Sequence, residues 1–327
     1  VPVVYAAGKS YLTFDNLHIQ HHSGNYALDR DGFKLVQVCH DIVFTNNEID
    51  NIPSIAIWGR GDCYNIVVGD TTAGKIATTT EYSNHIHHFG YAGVGLVGVN
   101  PENKESHFFV YYNYIHDATR TQAGDMEYGI YLSGSESSSA WPKYAYARFN
   151  RVENIKTWEC LDMHGGSHIY FQDNYLHNFG KFGIMAGGSD NYGLPNLFDH
   201  IYIERNIIEQ TPGGWIQGDE GSFITAYQSS DGHWGKDIYI RDNELFYTTV
   251  PQTSHFIGIS LRNLDGVLIQ GNKLINGSNE VAGDECIALP FTGLLGVKNL
   301  VVEKNFIYNW GSGIVMNGGL VTGKVRI

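Results

Sequence analysis

Ten times along the chain a short motif returns: alternating apolar residues, then Asn, then one residue and an apolar one. It reads Tyr11-Leu-Thr-Phe-Asp-Asn16-Leu-His-Ile near the start, His168-Ile-Tyr-Phe-Gln-Asp-Asn174-Tyr-Leu in the middle and Leu300-Val-Val-Glu-Lys-Asn305-Phe-Ile near the end. The marker residues are Asn16, Asn47, Asn84, Asn113, Asn150, Asn174, Asn206, Asn243, Asn272 and Asn305, with steps of 24 to 37 residues. Steps of this length belong to architectures in which one small unit stacks on the next. A second short strand, often opened by Gly, completes the unit, as in Gly93-Val-Gly-Leu, Gly129-Ile-Tyr-Leu, Gly183-Ile-Met-Ala, Gly258-Ile-Ser-Leu and Gly313-Ile-Val-Met. Period-two alternation sends every other side chain into a common core, and no window carries a helical period with caps. These features predict an all-β chain, a single-stranded parallel β-helix of about ten coils with loop insertions. Residues 1–327 are expected to form one domain, as a piece of a longer chain or as a whole. Stacked Asn amides are expected to bond to one another along the axis.

Composition narrows function. With 21 Lys and Arg against 34 Asp and Glu the net charge is −13, and no basic run occurs. Nucleic acid is therefore excluded as a partner, since its phosphates need clustered cations. An anionic membrane surface is disfavoured likewise, and no stretch approaches the length of a membrane span. The four Cys show no CxxC spacing; Cys160 and Cys286 take the Gly position at the start of the second strand. Of 15 His, His85 and His87 share a face by alternation, although most such residues belong to the turn after the marker Asn.

The whole chain resembles the right-handed parallel β-helix superfamily, the pectate-lyase-like proteins that include polysaccharide lyases, glycoside hydrolases, alginate epimerases and phage tailspikes. The resemblance implies a polysaccharide or other glycan as partner and an extracellular, cell-surface or virion-surface location. The shortest step, between Asn150 and Asn174, leaves a minimal coil. Longer steps beside it extrude loops, among them 99–106, 118–127, 133–143, 187–199, 211–222 and 248–255, which would wall a cleft.

The minimal coil carries Trp158-Glu-Cys-Leu-Asp-Met-His164. With Leu161 and Met163 turned to the core, Asp162 and His164 are expected to face outward, with Tyr131 and Ser133 on one side and Met185 and Gly187 on the other. Small neighbours here predict room for a ligand. Asp162-x-His164 is similar to the Asp-Pro-His signature of alginate epimerases, with Met163 in place of Pro and Glu159 where that pattern has Tyr. Tyr131 on the neighbouring coil stands in for that Tyr.

Two chemistries fit these residues, so the chain is read as a carbohydrate-cleaving enzyme of lyase or glycosidase type. Elimination assigns His164 as base and Tyr131 as acid. Hydrolysis assigns Asp162 and Glu127 as the carboxylate pair, with His164 orienting one of them. Trp141, Trp158, Tyr128 and Glu159 are expected to contact substrate. No cofactor is required, while Asp125, with the acids near it, offers a place for calcium. Net charge favours a neutral or cation-bridged glycan over a bare polyuronate. The competing reading is a non-catalytic surface, adhesin or filament-forming protein, a homo-oligomer joined through coil ends that lack polar caps.

Overall fold

The computed structural model describes residues 1–21, 30–98, 105–119, 126–133, 141–188, 198–211, 220–228, 233–248, 255–277, 285–289, 296–316 and 321–327. Among these residues there is no helix, and 32 strands form three sheets of 11, 11 and 10 strands. Every pairing between strands is parallel, and each strand pairs with its counterpart one coil away. We call the sheets A, B and C in the order in which the chain visits them. The minimal coil gives Glu159–His164 to sheet A, Gly166–Gln172 to sheet B and Tyr175–Phe179 to sheet C.

Alternation builds the core. In sheet A the inward column contains Ile57, Val94, Ile130, Leu161, Ile184, Ile224 and Ile259, in register and fully buried. Sheet C supplies Ile49, Ile86, Ile115, Val152, Leu176 and Ile208 in the same way. Burying branched side chains at about 25 cal/mol per Å² is the main force holding one coil on the next. Space is tight where sheet A begins. A Cβ at Gly129 would lie 2.3 Å from Val152 and 2.5 Å from the carbonyl oxygen of Cys160. All four Cys are buried and unbridged.

The Asn ladder runs from Asn47 to Asn305. At Asn150, Nδ2 donates to the Val110 carbonyl at 2.8 Å and to Oδ1 of Asn174 at 3.1 Å. The backbone N–H of Asn150 reaches the same Oδ1 at 3.0 Å, so one amide satisfies groups on three coils. The residue before most rungs adopts positive φ, as at Asn46, Phe149, Asp173 and Arg205, and makes the sharp turn between sheets B and C.

One marker is corrected. Asn16 takes the positive-φ turn position (φ 54°), not the ladder, and Leu17 stands where the rung belongs. The Leu17 N–H accordingly donates to Oδ1 of Asn47 at 3.1 Å. Asn recurs at both positions because its side chain tolerates the left-handed region and also bonds along the axis, so sequence alone did not separate the two roles.

On the outer face of sheet B, Tyr146, Tyr170, Tyr202 and Tyr239 stack with centroids 4.5 to 4.9 Å apart and rings within 7° of parallel. Their faces are occupied by one another. Most of the loops expected to wall the cleft lie outside the described residues, as does Asp125. No helix among the described residues is long and apolar enough to cross a membrane.

Candidate functional site

The expected column forms on the outer side of sheet A. Tyr131 pairs with Asp162 and Ser133 with His164; on the next coil the partners are Met185 and Gly187. The alternation of faces is broken once within the strand. Tyr128 pairs with Glu159 and Ile130 with Leu161, so the register is unbroken, yet the consecutive Cys160 and Leu161 both reach the core. Glu159 and Asp162, three residues apart, are thereby brought to the same outer side.

Outward does not mean exposed. Asp162 and Glu159 are both completely buried, whereas the His164 side chain keeps 28% of its surface accessible. The room expected beside small residues is filled by rings from adjacent coils. Trp58 lies over Gly95, where a Cβ would meet its ring at 2.7 Å, and Tyr227 lies over Gly187 at 3.0 Å. A glycine on an outward column leaves a flat place where a neighbour's aromatic ring can lie. Ile55, Ala92 and Tyr128 form a second apolar cluster with Trp58, Tyr91, Tyr131 and Trp158 packed on it.

Within this covered face the polar groups are poorly matched. Apart from each other and the Met163 N–H, the carboxyl groups of Glu159 and Asp162 have no hydrogen-bond partner among the described residues. Nε2 of His164 stands 3.3 Å from Oδ2 of Asp162, an ion-pair distance without hydrogen-bond alignment. Burial pushes Asp162 up to about 6, against the pull of His164. Glu159 is driven well above the usual carboxylate range, first by burial and then by the charge of Asp162, with Lys181 opposing. At neutral pH the pair therefore carries one charge, on Asp162. Tyr128 is pushed far up by burial and both acids, and Tyr227 to about 12 for the same reasons, with Arg262 opposing.

The other expected residues are placed as follows. Tyr131 meets the His164 ring edge to face at 6.0 Å and leans on Tyr128 at 4.9 Å. Trp141 covers Gly165 at the end of the Asp162 strand, where a Cβ would meet its ring at 2.4 Å. Trp158 lies under the Lys181 ammonium, 4.1 Å from the ring centroid. Tyr128 donates its hydroxyl to the sulfur of Met126 at 3.3 Å. Glu127 is fully buried at the corner before sheet A and accepts from the Thr157 hydroxyl at 3.0 Å. The carboxyl group that acts on Asp162 is Glu159.

Reading the sequence missed Tyr227. It is in register with Gly187, two coils from His164, and extending the outward column by one more coil would have found it. Three groups of metal-ligating side chains occur among the described residues, and none includes Asp162, Glu159 or Glu127.

Among solved structures the chain is similar to PfbA, a surface adhesin of Streptococcus pneumoniae, at 13% identity and TM-score 0.44, over 98% of this chain and 80% of that one. It is also similar to the A-module of the mannuronan C-5 epimerase AlgE6 of Azotobacter vinelandii, at 12% identity and TM-score 0.40, over 99% and 84% of the two chains. No curated protein sequence matches it. The family described as a right-handed beta helix region matches residues 159–326, more than half of the chain and most of the coils laid out above. With three parallel sheets wound coil upon coil, the chain belongs to the right-handed β-helix family.

Proposed function

We propose that this protein acts on a uronate-containing polysaccharide at a surface or outside the cell, abstracting a proton from a sugar carbon, with His164 as base and Tyr131 as acid. The observation that carries this reading is the fully buried Asp162 carboxylate, with a neutral Glu159 as its side-chain hydrogen-bond partner, 3.3 Å from Nε2 of a partly exposed histidine. A charge buried with so few compensating bonds costs stability, and costs of this kind cluster where chemistry needs them. The charged Asp162 holds the imidazole proton on Nε2 and leaves the Nδ1 lone pair for a substrate.

In elimination, Nδ1 takes the proton on C5 of the uronate. The electron pair forms the C4–C5 double bond, the C4–O4 bond breaks, and the Tyr131 hydroxyl protonates the departing O4. Hydrolysis has less support. It needs two carboxyl groups flanking the scissile bond, whereas Glu159 and Asp162 lie side by side on one strand and Glu127 is engaged by Thr157. The charge argument for a neutral glycan gives way locally, because the Lys181 ammonium lies near the site and would suit a uronate carboxylate.

The test is incubation with a panel of uronate and neutral polysaccharides, following unsaturated ends and reducing ends separately. Unsaturated ends from a uronate polymer, reduced at least 100-fold by His164→Ala and by Tyr131→Phe, are expected. Turnover unchanged by both substitutions would remove the assignment, and reducing ends without unsaturation would return it to hydrolysis.

A further inference from the structure

On the outer face of sheet C, across its second to fourth strands, lies a cluster that the proposed chemistry does not use. Strands Glu48–Ile52, His85–Phe89 and Tyr114–His116 stack so that Glu48 pairs with His85, and Asp50, His87 and His116 form one column. The ligand atoms of Glu48, His85 and His87 all lie within 4.8 Å of one another. We propose that these three side chains form a binding site for a divalent transition-metal ion of the zinc class.

The argument rests on how His87 is held. Its Nδ1 lies 3.0 Å from Oδ1 of Asp50 and 2.8 Å from Nδ1 of His88, which reaches the same Asp50 oxygen at 3.0 Å, so one nitrogen of the ring is turned to that carboxylate. Nε2, on the other side of the ring, is buried and faces Oε1 of Glu48 at 3.5 Å, beyond close hydrogen-bond contact. A nitrogen and a carboxylate oxygen set at this spacing are placed as two ligands of one cation would be. A tetrahedral zinc with ligands at about 2.0–2.1 Å sets neighbouring donor atoms roughly 3.3 Å apart, close to the spacing found.

His85 supplies the third ligand. It stacks on Tyr114 within 3° of parallel, and its Nε2 meets Nε2 of His116 at 2.7 Å. His116 is turned by its own carboxylate, with Nδ1 2.8 Å from Asp117. Of the proposed ligands, His87 has a carboxylate, Asp50, beside its ring, as metal-ligating histidines do. Two imidazoles and a carboxylate suit zinc, copper or nickel rather than calcium.

Access to a fourth position is open. A cavity of about 340 Å³, lined by Leu17, His18, Tyr82, Glu48 and His85 among others, adjoins the proposed ligands. Water or a small donor could complete the coordination from that side.

Equilibrium dialysis of the full chain against Zn²⁺, followed by metal analysis, tests the site. One tightly held Zn²⁺ per chain is expected, and the Co²⁺-loaded protein should show the visible absorption of a tetrahedral ion. His85→Gln combined with His87→Gln should lower affinity at least 100-fold and abolish that absorption, and Asp50→Asn, behind His87, should lower affinity about 10- to 100-fold. Should the double variant fail to fold, Glu48→Gln at the partly exposed third ligand is expected to lower affinity at least tenfold. Zn²⁺ binding unchanged by Glu48→Gln overturns the proposal, as does binding lost only in a His168→Gln His200→Gln variant of the separate cluster on sheet B.

Discussion

Two sets of polar side chains are buried to the same degree in this molecule and are treated in opposite ways. The ladder amides from Asn84 to Asn272 are completely buried and fully bonded, each Oδ1 accepting from the coil before it and each Nδ2 donating to the coil after. Glu159 and Asp162, on the outer side of sheet A, are just as buried but have little beyond each other to bond to among the described residues. Satisfied groups of this kind specify a structure, whereas poorly satisfied ones weaken it. The ladder therefore holds the fold, whereas the acidic pair weakens it.

Substitutions should separate the two. The largest effect is expected in the ladder, where Asn150→Ala removes two bonds donated to Asn174 and Val110 and two received from Asn113. With 1 to 3 kcal/mol for each buried group left unpaired, the loss is on the order of 4 kcal/mol, to be read from the urea midpoint. A loss below about 1 kcal/mol would mean that the ladder accompanies the fold without holding it.

A smaller effect of opposite sign is expected at Asp162. Its pKa is raised by burial, so between the unfolded value near 4 and about 6 the native state binds more protons than the unfolded chain. This contribution to stability is present at low pH and is lost as pH rises through about 6. Asp162→Asn removes the buried charge and should stabilise the protein by about 1 to 2 kcal/mol at pH 7.5 while eliminating turnover. On the proposed function, turnover by the unsubstituted protein should fall as pH drops below about 6, where the carboxylate beside His164 becomes neutral.

The smallest effect is expected at Glu159. Already held neutral by burial and by Asp162, it should tolerate Glu159→Gln at pH 7.5 with a stability change within about 0.5 kcal/mol. A gain as large as that from Asp162→Asn would place the charge on Glu159 instead.

The sequence made the scaffold easy to read and the site hard to read, for one reason. Stacking forces identical chemistry to recur at fixed register, so the Ile, Leu and Val columns, the Asn rungs and the glycine at the start of sheet A repeat visibly. The partners of Asp162, namely Tyr131 and Met185, followed from that register alone. Burial did not follow, because what covers an outward column is set by rings leaning from neighbouring coils, as Tyr227 leans over Gly187 and Trp58 over Gly95. Nor did alternation place Glu159 beside Asp162. A strict period of two would have sent them to opposite faces, and the break in alternation at Cys160 and Leu161, both turned to the core, cancels that separation.

The most direct measurement is the titration of the side-chain carboxyl carbons by ¹³C NMR, with Asp162→Asn identifying the resonance. The account predicts that Asp162 titrates near 6 and that its chemical shift also follows the protonation of His164. A midpoint near 4 with no coupling to His164 would show an ordinary solvated or well-bonded carboxylate, and would contradict the claim that a buried charge is kept here for chemistry.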